Sequence, residues 1–76
     1  MNKKEFSKAL GLKIKIKRIE KYMSQEELAT KANFSLPFTS DVECGKKGIS
    51  LYYFIKLAKA LELDLNNFLE DFTELE

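Results

Sequence analysis

Four polar residues divide most of this chain into segments of about a dozen residues each. Ser24, Ser35, Ser50 and Asp64 each stand directly before a run whose apolar residues recur three or four positions apart. A short oxygen-bearing side chain at that place accepts the hydrogen bond of an otherwise orphaned amide and starts a helix. At Ser24 the signal is doubled, because Glu27 occupies the third helical position and can reach back to the Ser24 amide, with Met23 and Leu28 placed to clamp the entry. Leu28, Ala29 and Ala32 form the inward face of that helix. Asn33, which tolerates a left-handed backbone, is its natural terminator. Ser35 starts the next helix with Pro37 in its first turn, where a missing amide hydrogen costs little. "GKKG" is a turn exposing two lysines. Ser50 then caps a helix with Leu51, Phe54, Leu57, Ala58 and Leu61 on one face, stapled by Ile49 against Phe54. Asp64 caps the last, which runs through Leu65, Phe68, Leu69 and Phe72 with Leu63 stapled to Phe68.

The segment before these breaks reads two ways. "LKIKIKRIE", residues 12–20, alternates apolar and basic residues as a strand does. No turn signal or partner strand lies near it, both flanks favour helix, and Phe6, Leu10, Ile14 and Arg18 fall on one helical face. Asn2 followed by Glu5 forms a second capping-box pattern, and Gly11 weakens the helix locally, so its start is drawn at Asn2 with a later start left open. The expected fold class is therefore all-α: a compact five-helix bundle, with residues 1–76 as a single domain.

At 76 residues the core is near the lower limit for a chain without staples. One cysteine, Cys44, permits no internal disulfide, and with no histidine a zinc site is not expected. No metal or other cofactor is expected. The longest apolar run, Leu51 to Ile55, is far short of a membrane span and no secretory signal is seen, so the expected location is cytoplasmic. The net charge of +1 conceals a division: residues 1–61 carry +7 and residues 62–76 carry −6. Nucleic acid responds to that local basic field rather than to the total. Carboxylates are plentiful, but no Ser–base pair or histidine accompanies them, so no catalytic constellation is present and an enzyme is not expected.

Taken together, "IKIKR", "SQEELA", "KANFS", "SDVECGKKGISL" and "KLAKALELDLNNFL" resemble the Cro/C1-type (XRE-like) helix-turn-helix domains of phage repressors and bacterial regulators. The likeness spans about residues 10–72, with the two-helix motif at about 25–44. "SDVE" followed by "G" and "IS" is also similar to restriction–modification controller proteins, which are small homodimers. The resemblance implies that Ala29 is small because two helices cross closely, that Asn33 stands where a turn glycine is usual, and that Arg18 and Glu43 form an ion pair under the recognition helix. It implies phosphate contacts from Ser24, Gln25, Lys46, Lys47, Ser50 and Tyr52. Ser35, Leu36, Pro37, Thr39, Ser40 and Asp41 would face the groove. None of these makes the two-pronged contact of arginine with guanine. Leu36 and Pro37 suit thymine methyls, and Asp41 either accepts from cytosine or repels phosphate. Thr39 stands where the family buries an aliphatic, so its hydroxyl also needs a carbonyl one turn back.

The implied function is a sequence-specific transcriptional regulator, repressor or controller, acting as a homodimer on a roughly palindromic double-stranded operator, bacterial or phage-encoded. The resemblance does not point to a small-molecule effector or a membrane partner. Leu63, Leu65, Phe68, Leu69 and Phe72, with Leu75, are the expected dimer surface, most of them being needed for the chain's own small core as well. The alternative is a protein-interaction module, antitoxin-like or anti-repressor, that keeps the scaffold without reading bases.

Overall fold

The computed structural model describes residues 1–70 and 72. Five helices follow one another: α1 Lys3–Glu20, α2 Gln25–Ala32, α3 Leu36–Glu43, α4 Leu51–Leu61 and α5 Leu65–Leu69. No strand occurs among the described residues. Local chemistry sets the starts. Asn2 and Glu5 form the expected capping box, the Glu5 amide donating to Asn2 Oδ1 at 2.8 Å and the Asn2 amide to Glu5 Oε1 at 3.0 Å. Ser24 and Glu27 repeat it at α2. Ser35 and Ser50 each accept from the amide three residues on, at 3.2 and 3.3 Å. Asp64 departs from expectation: its carboxylate accepts from Asn67 Nδ2 instead of capping the backbone of α5. Phe72 lies beyond α5, and Leu75 lies outside the described residues.

Four helices end in one pattern. Tyr22, Asn33, Gly45 and Glu62 all have positive φ. At each, that residue's amide donates to the carbonyl three back and the next amide to the carbonyl five back, as in Phe34 to Ala29 at 2.8 Å and Lys46 to Asp41 at 2.9 Å. This is the Schellman closure, which satisfies orphaned carbonyls and reverses the chain within two residues. Asn33 and Gly45 are chemically suited to it. Tyr22 and Glu62 are not, and each carries a strain of about 1–2 kcal/mol.

The core gathers Leu10, Ile14, Leu28, Ala32, Val42, Leu57, Ala60, Leu61 and Phe68. α1 and α2 both pack on α3, and α2 also packs on α4. The "LKIKIKRIE" stretch is helical throughout, with Leu10, Ile14 and Arg18 turned inward. Gly11 does not delay the start of α1; it is where α1 crosses α3. A Cβ there would collide with the Val42 carbonyl oxygen and stand 2.8 Å from that of Glu43. Leu51 departs from the expected inward face of α4 and is 72 % exposed.

Candidate nucleic-acid interface

α2 and α3 form two short helices joined by a three-residue break, residues 33 to 35, that holds the reversal. Their mutual angle is held from below by one buried network. Arg18 reaches from α1 to the end of α3, its Nε donating to Glu43 Oε2 at 2.7 Å and Nη2 to Glu43 Oε1 at 3.1 Å. Its Nη1 donates to the Met23 carbonyl at 2.8 Å, just before α2 begins. Gln25, the first residue of α2, donates from Nε2 to Glu43 Oε1 at 3.0 Å. One carboxylate thus collects three donors from α1 and α2. Both charged side chains are nearly shut off from solvent, and among the described residues no buried side-chain polar atom lacks a partner. The planar guanidinium fits a carboxylate in two-point geometry, so the network resists rotation of α3 as well as its withdrawal.

Above this support, the leading end of α3 is open. Ser35, Leu36 and Pro37 are exposed, and Ser40 and Asp41 are half-buried one turn later. Thr39 corrects the expectation of a groove contact: at 1 % exposure it faces the core, and its Oγ1 donates to the Ser35 carbonyl at 3.1 Å. The carbonyl one turn back is the acceptor such a buried hydroxyl requires.

The expected phosphate ligands border this end. Ser24 is exposed at the start of α2; its oxygen accepts the Glu27 amide, leaving the hydroxyl hydrogen to donate. Gln25 uses one amide hydrogen on Glu43 and keeps the second. Lys46 is exposed and makes no ion pair among the described residues. Lys47 Nζ stands 3.7 Å from Asp41 Oδ2 and lies over the Phe38 ring. Ser50 and Tyr52 are exposed at the start of α4.

Sequence reasoning missed an aromatic cluster beside these groups. Phe34, Phe38 and Tyr53 meet pairwise with ring centroids 5.0 to 5.4 Å apart, and Tyr52 adds a fourth ring at 5.2 Å from Tyr53. Lys56 rests over Phe34 and Tyr52. These contacts tie the turn and α3 to α4. The only hint in the chain was the crowding of aromatics at positions 34, 38, 52 and 53.

The expected dimer residues divide. Phe68 is corrected to the core, at 1 % exposure, and Leu63 and Phe72 are partly buried against it. The Phe72 ring sits 5.1 Å from Phe6 and 6.1 Å from Phe68. Leu65 and Leu69 remain exposed, as do Leu51 and Ile55 on α4. Leu51 and Leu69 edge a mainly apolar groove of about 420 Å³ floored by Phe6, Leu10, Val42 and Phe54, with Lys3 and Lys47 also in its lining. Cys44 is exposed. Among the described residues there is no group of side chains able to hold a metal, and no helix long and apolar enough to cross a membrane.

Comparison with known proteins agrees with this geometry. The helix-turn-helix family model HTH_3 matches residues 14–68. Among solved structures, the chain is similar to the restriction–modification controller protein C.AhdI from Aeromonas hydrophila, with 28% identity, 84% of this chain and 97% of that one covered, and a TM-score of 0.79. It is similar to the clp gene regulator ClgR from C. glutamicum, with 25% identity, 92% and 95% covered, and a TM-score of 0.80. A tyrosine-to-phenylalanine mutant of the restriction–modification controller protein C.Esp1396I gives 25% identity, 91% and 92% covered, and a TM-score of 0.77. No curated protein matches the sequence significantly.

Proposed function

This chain belongs to the XRE-type helix-turn-helix family (HTH_3) of DNA-binding regulators, and on that premise we propose that it acts as a homodimer on a roughly palindromic operator. The observation that carries the reading is the open leading end of α3, held by the Arg18–Glu43–Gln25 network and bordered by Lys46 and Lys47. In such motifs the second helix enters the major groove and the first crosses the backbone. Leu36 and Pro37 then lie against thymine methyls, and Ser35 and Ser40 supply single hydrogen bonds. Ser24, Gln25, Ser50 and Tyr52 meet phosphates with the lysines. Most affinity comes from the backbone and much of the specificity from methyl contacts and DNA shape.

The exposed apolar residues Leu51, Ile55, Leu65 and Leu69 support pairing through α4 and α5. That arrangement sets two copies of α3 into successive major grooves, about 34–36 Å apart. The likeness to two restriction–modification controllers favours a small regulator acting at a promoter, and cytoplasmic action follows from it.

A mobility-shift titration across salt concentration tests this. Two lysines per subunit give four phosphate contacts, so the logarithmic salt slope is about −3.6 or steeper, at least about a 150-fold loss between 50 and 200 mM salt. Gln25→Ala and Lys46→Ala weaken all sequences alike, whereas Leu36→Ala changes preference among sites selected from random DNA. Retention of no DNA at low salt refutes the reading; equal effects of all three substitutions refute the assigned roles.

A further inference from the structure

We propose that the outer face of α1 docks an acidic amphipathic helix of a partner protein. The inner face of α1 is spent on the core through Leu10 and Ile14 and on the ion pair through Arg18. Half a turn round, Leu12, Ile16 and Ile19 are 54 %, 45 % and 53 % exposed. Their spacing of four and then three residues makes one straight apolar seam about 10 Å long. The alternating "LKIKIKRIE" produces it, and neither the DNA contacts nor the dimer surface uses it.

Charge specifies what fits there. Lys8 and Lys15 flank Leu12, four residues before it and three after, with Lys4 one further turn back on the same line; all three are exposed and make no ion pair among the described residues. Elsewhere on and after α1, Lys17 pairs with Glu20 at 3.3 Å and Lys21 with Glu62 at 3.9 Å. A helix carrying leucine or isoleucine at matching intervals, with glutamates along the facing flank, covers the seam and neutralises the lysine ridge together. A second copy of this chain fits badly, because antiparallel two-fold pairing of α1 sets each ridge against its mate. Three half-exposed side chains are well below the roughly 800 Å² per partner of a standard stable complex, so the association is weak and salt-sensitive.

Two designed helical peptides test the proposal on the full chain, both with a leucine seam, one with glutamate and one with lysine flanks. Fluorescence anisotropy is expected to give the acidic peptide a Kd on the order of 10 µM and the basic peptide none measurable. Leu12→Ser with Ile16→Ser weakens that binding at least about tenfold, and Lys8→Glu with Lys15→Glu by a similar factor, as expected for paired contacts at one small interface. Circular dichroism of both variants and operator binding by the Leu12/Ile16 variant stay as in the parent chain, which separates this surface from the DNA reading. The proposal is overturned by equal binding of the two peptides or by no binding of the acidic one at about 1 mM. It is equally overturned by flotation with phosphatidylglycerol vesicles, or by a mass above the dimer, that the Leu12/Ile16 variant abolishes.

Discussion

Replacing Gly11 by alanine sets two effects of opposite sign against each other. In an isolated helix the change stabilises by about 1 kcal/mol, because glycine loses more backbone freedom on folding. Here the added methyl would collide with the Val42 carbonyl oxygen and stand 2.8 and 3.0 Å from the carbonyl oxygen and carbon of Glu43. Both obstacles are backbone of α3, with no flexible side-chain end able to swing aside. Relief requires α1 and α3 to separate by the better part of an ångström, and overpacking of that kind costs about 1–3 kcal/mol. The same shift stretches the 2.7 and 3.1 Å bonds between Arg18 and Glu43, which close one turn or two further along the same crossing. With the contact at the severe end, the clash wins, and the net loss is about 2 kcal/mol. For a domain of this length that is a fall in Tm of about 8–16 °C. Thermal and urea unfolding followed by circular dichroism measure it. Gly48→Ala is the control, because a Cβ there meets nothing within 4 Å. Gly48 is expected to tolerate alanine within about 0.5 kcal/mol of neutral. If Gly11→Ala is as stable as the parent or more so, the close crossing of α1 and α3 is refuted.

Glu43→Ala leaves Arg18 buried without its carboxylate and removes the acceptor of Gln25; a loss of about 3–5 kcal/mol in urea unfolding is expected, and a loss under 1 kcal/mol would show that the network is not a support. Tyr22→Asn relieves left-handed strain at a side chain that is 94 % exposed, so stability rises by about 0.5–1 kcal/mol; a fall would show that Tyr22 has a contact holding it there. Asp41→Asn removes one negative charge from the groove face beside Lys47, so affinity for random DNA increases several-fold; an unchanged affinity would mean that Asp41 does not oppose the duplex. Leu69→Glu with Leu51→Glu is expected to shift sedimentation from dimer to monomer while leaving the helix content intact, and an unaltered mass would move the pairing surface elsewhere.

Helix starts were legible in the chain because a cap is a local event: Asn2, Ser24, Ser35 and Ser50 each bond an amide three residues ahead, whatever the rest of the molecule does. The termination at Asn33 and the likeness carried by "SQEELA" through "KLAKALELDLNNFL" were legible for the same reason, since both rest on short-range order of residue types. Tertiary structure decided what side chains face. Leu51 turned outward and Phe68 went wholly to the core, because in helices of five to eleven residues a small rotation at the crossing exchanges buried and open positions. The burial of Thr39, with its hydroxyl on a carbonyl one turn back, was by contrast readable from the position it occupies. The left-handed ends at Tyr22 and Glu62 follow from where the next helix must pack, at residues that local preference argues against. Gly11 reads alone as a weak point in a helix; only the carbonyls of α3, some thirty residues away in the chain, make it a required absence of side chain.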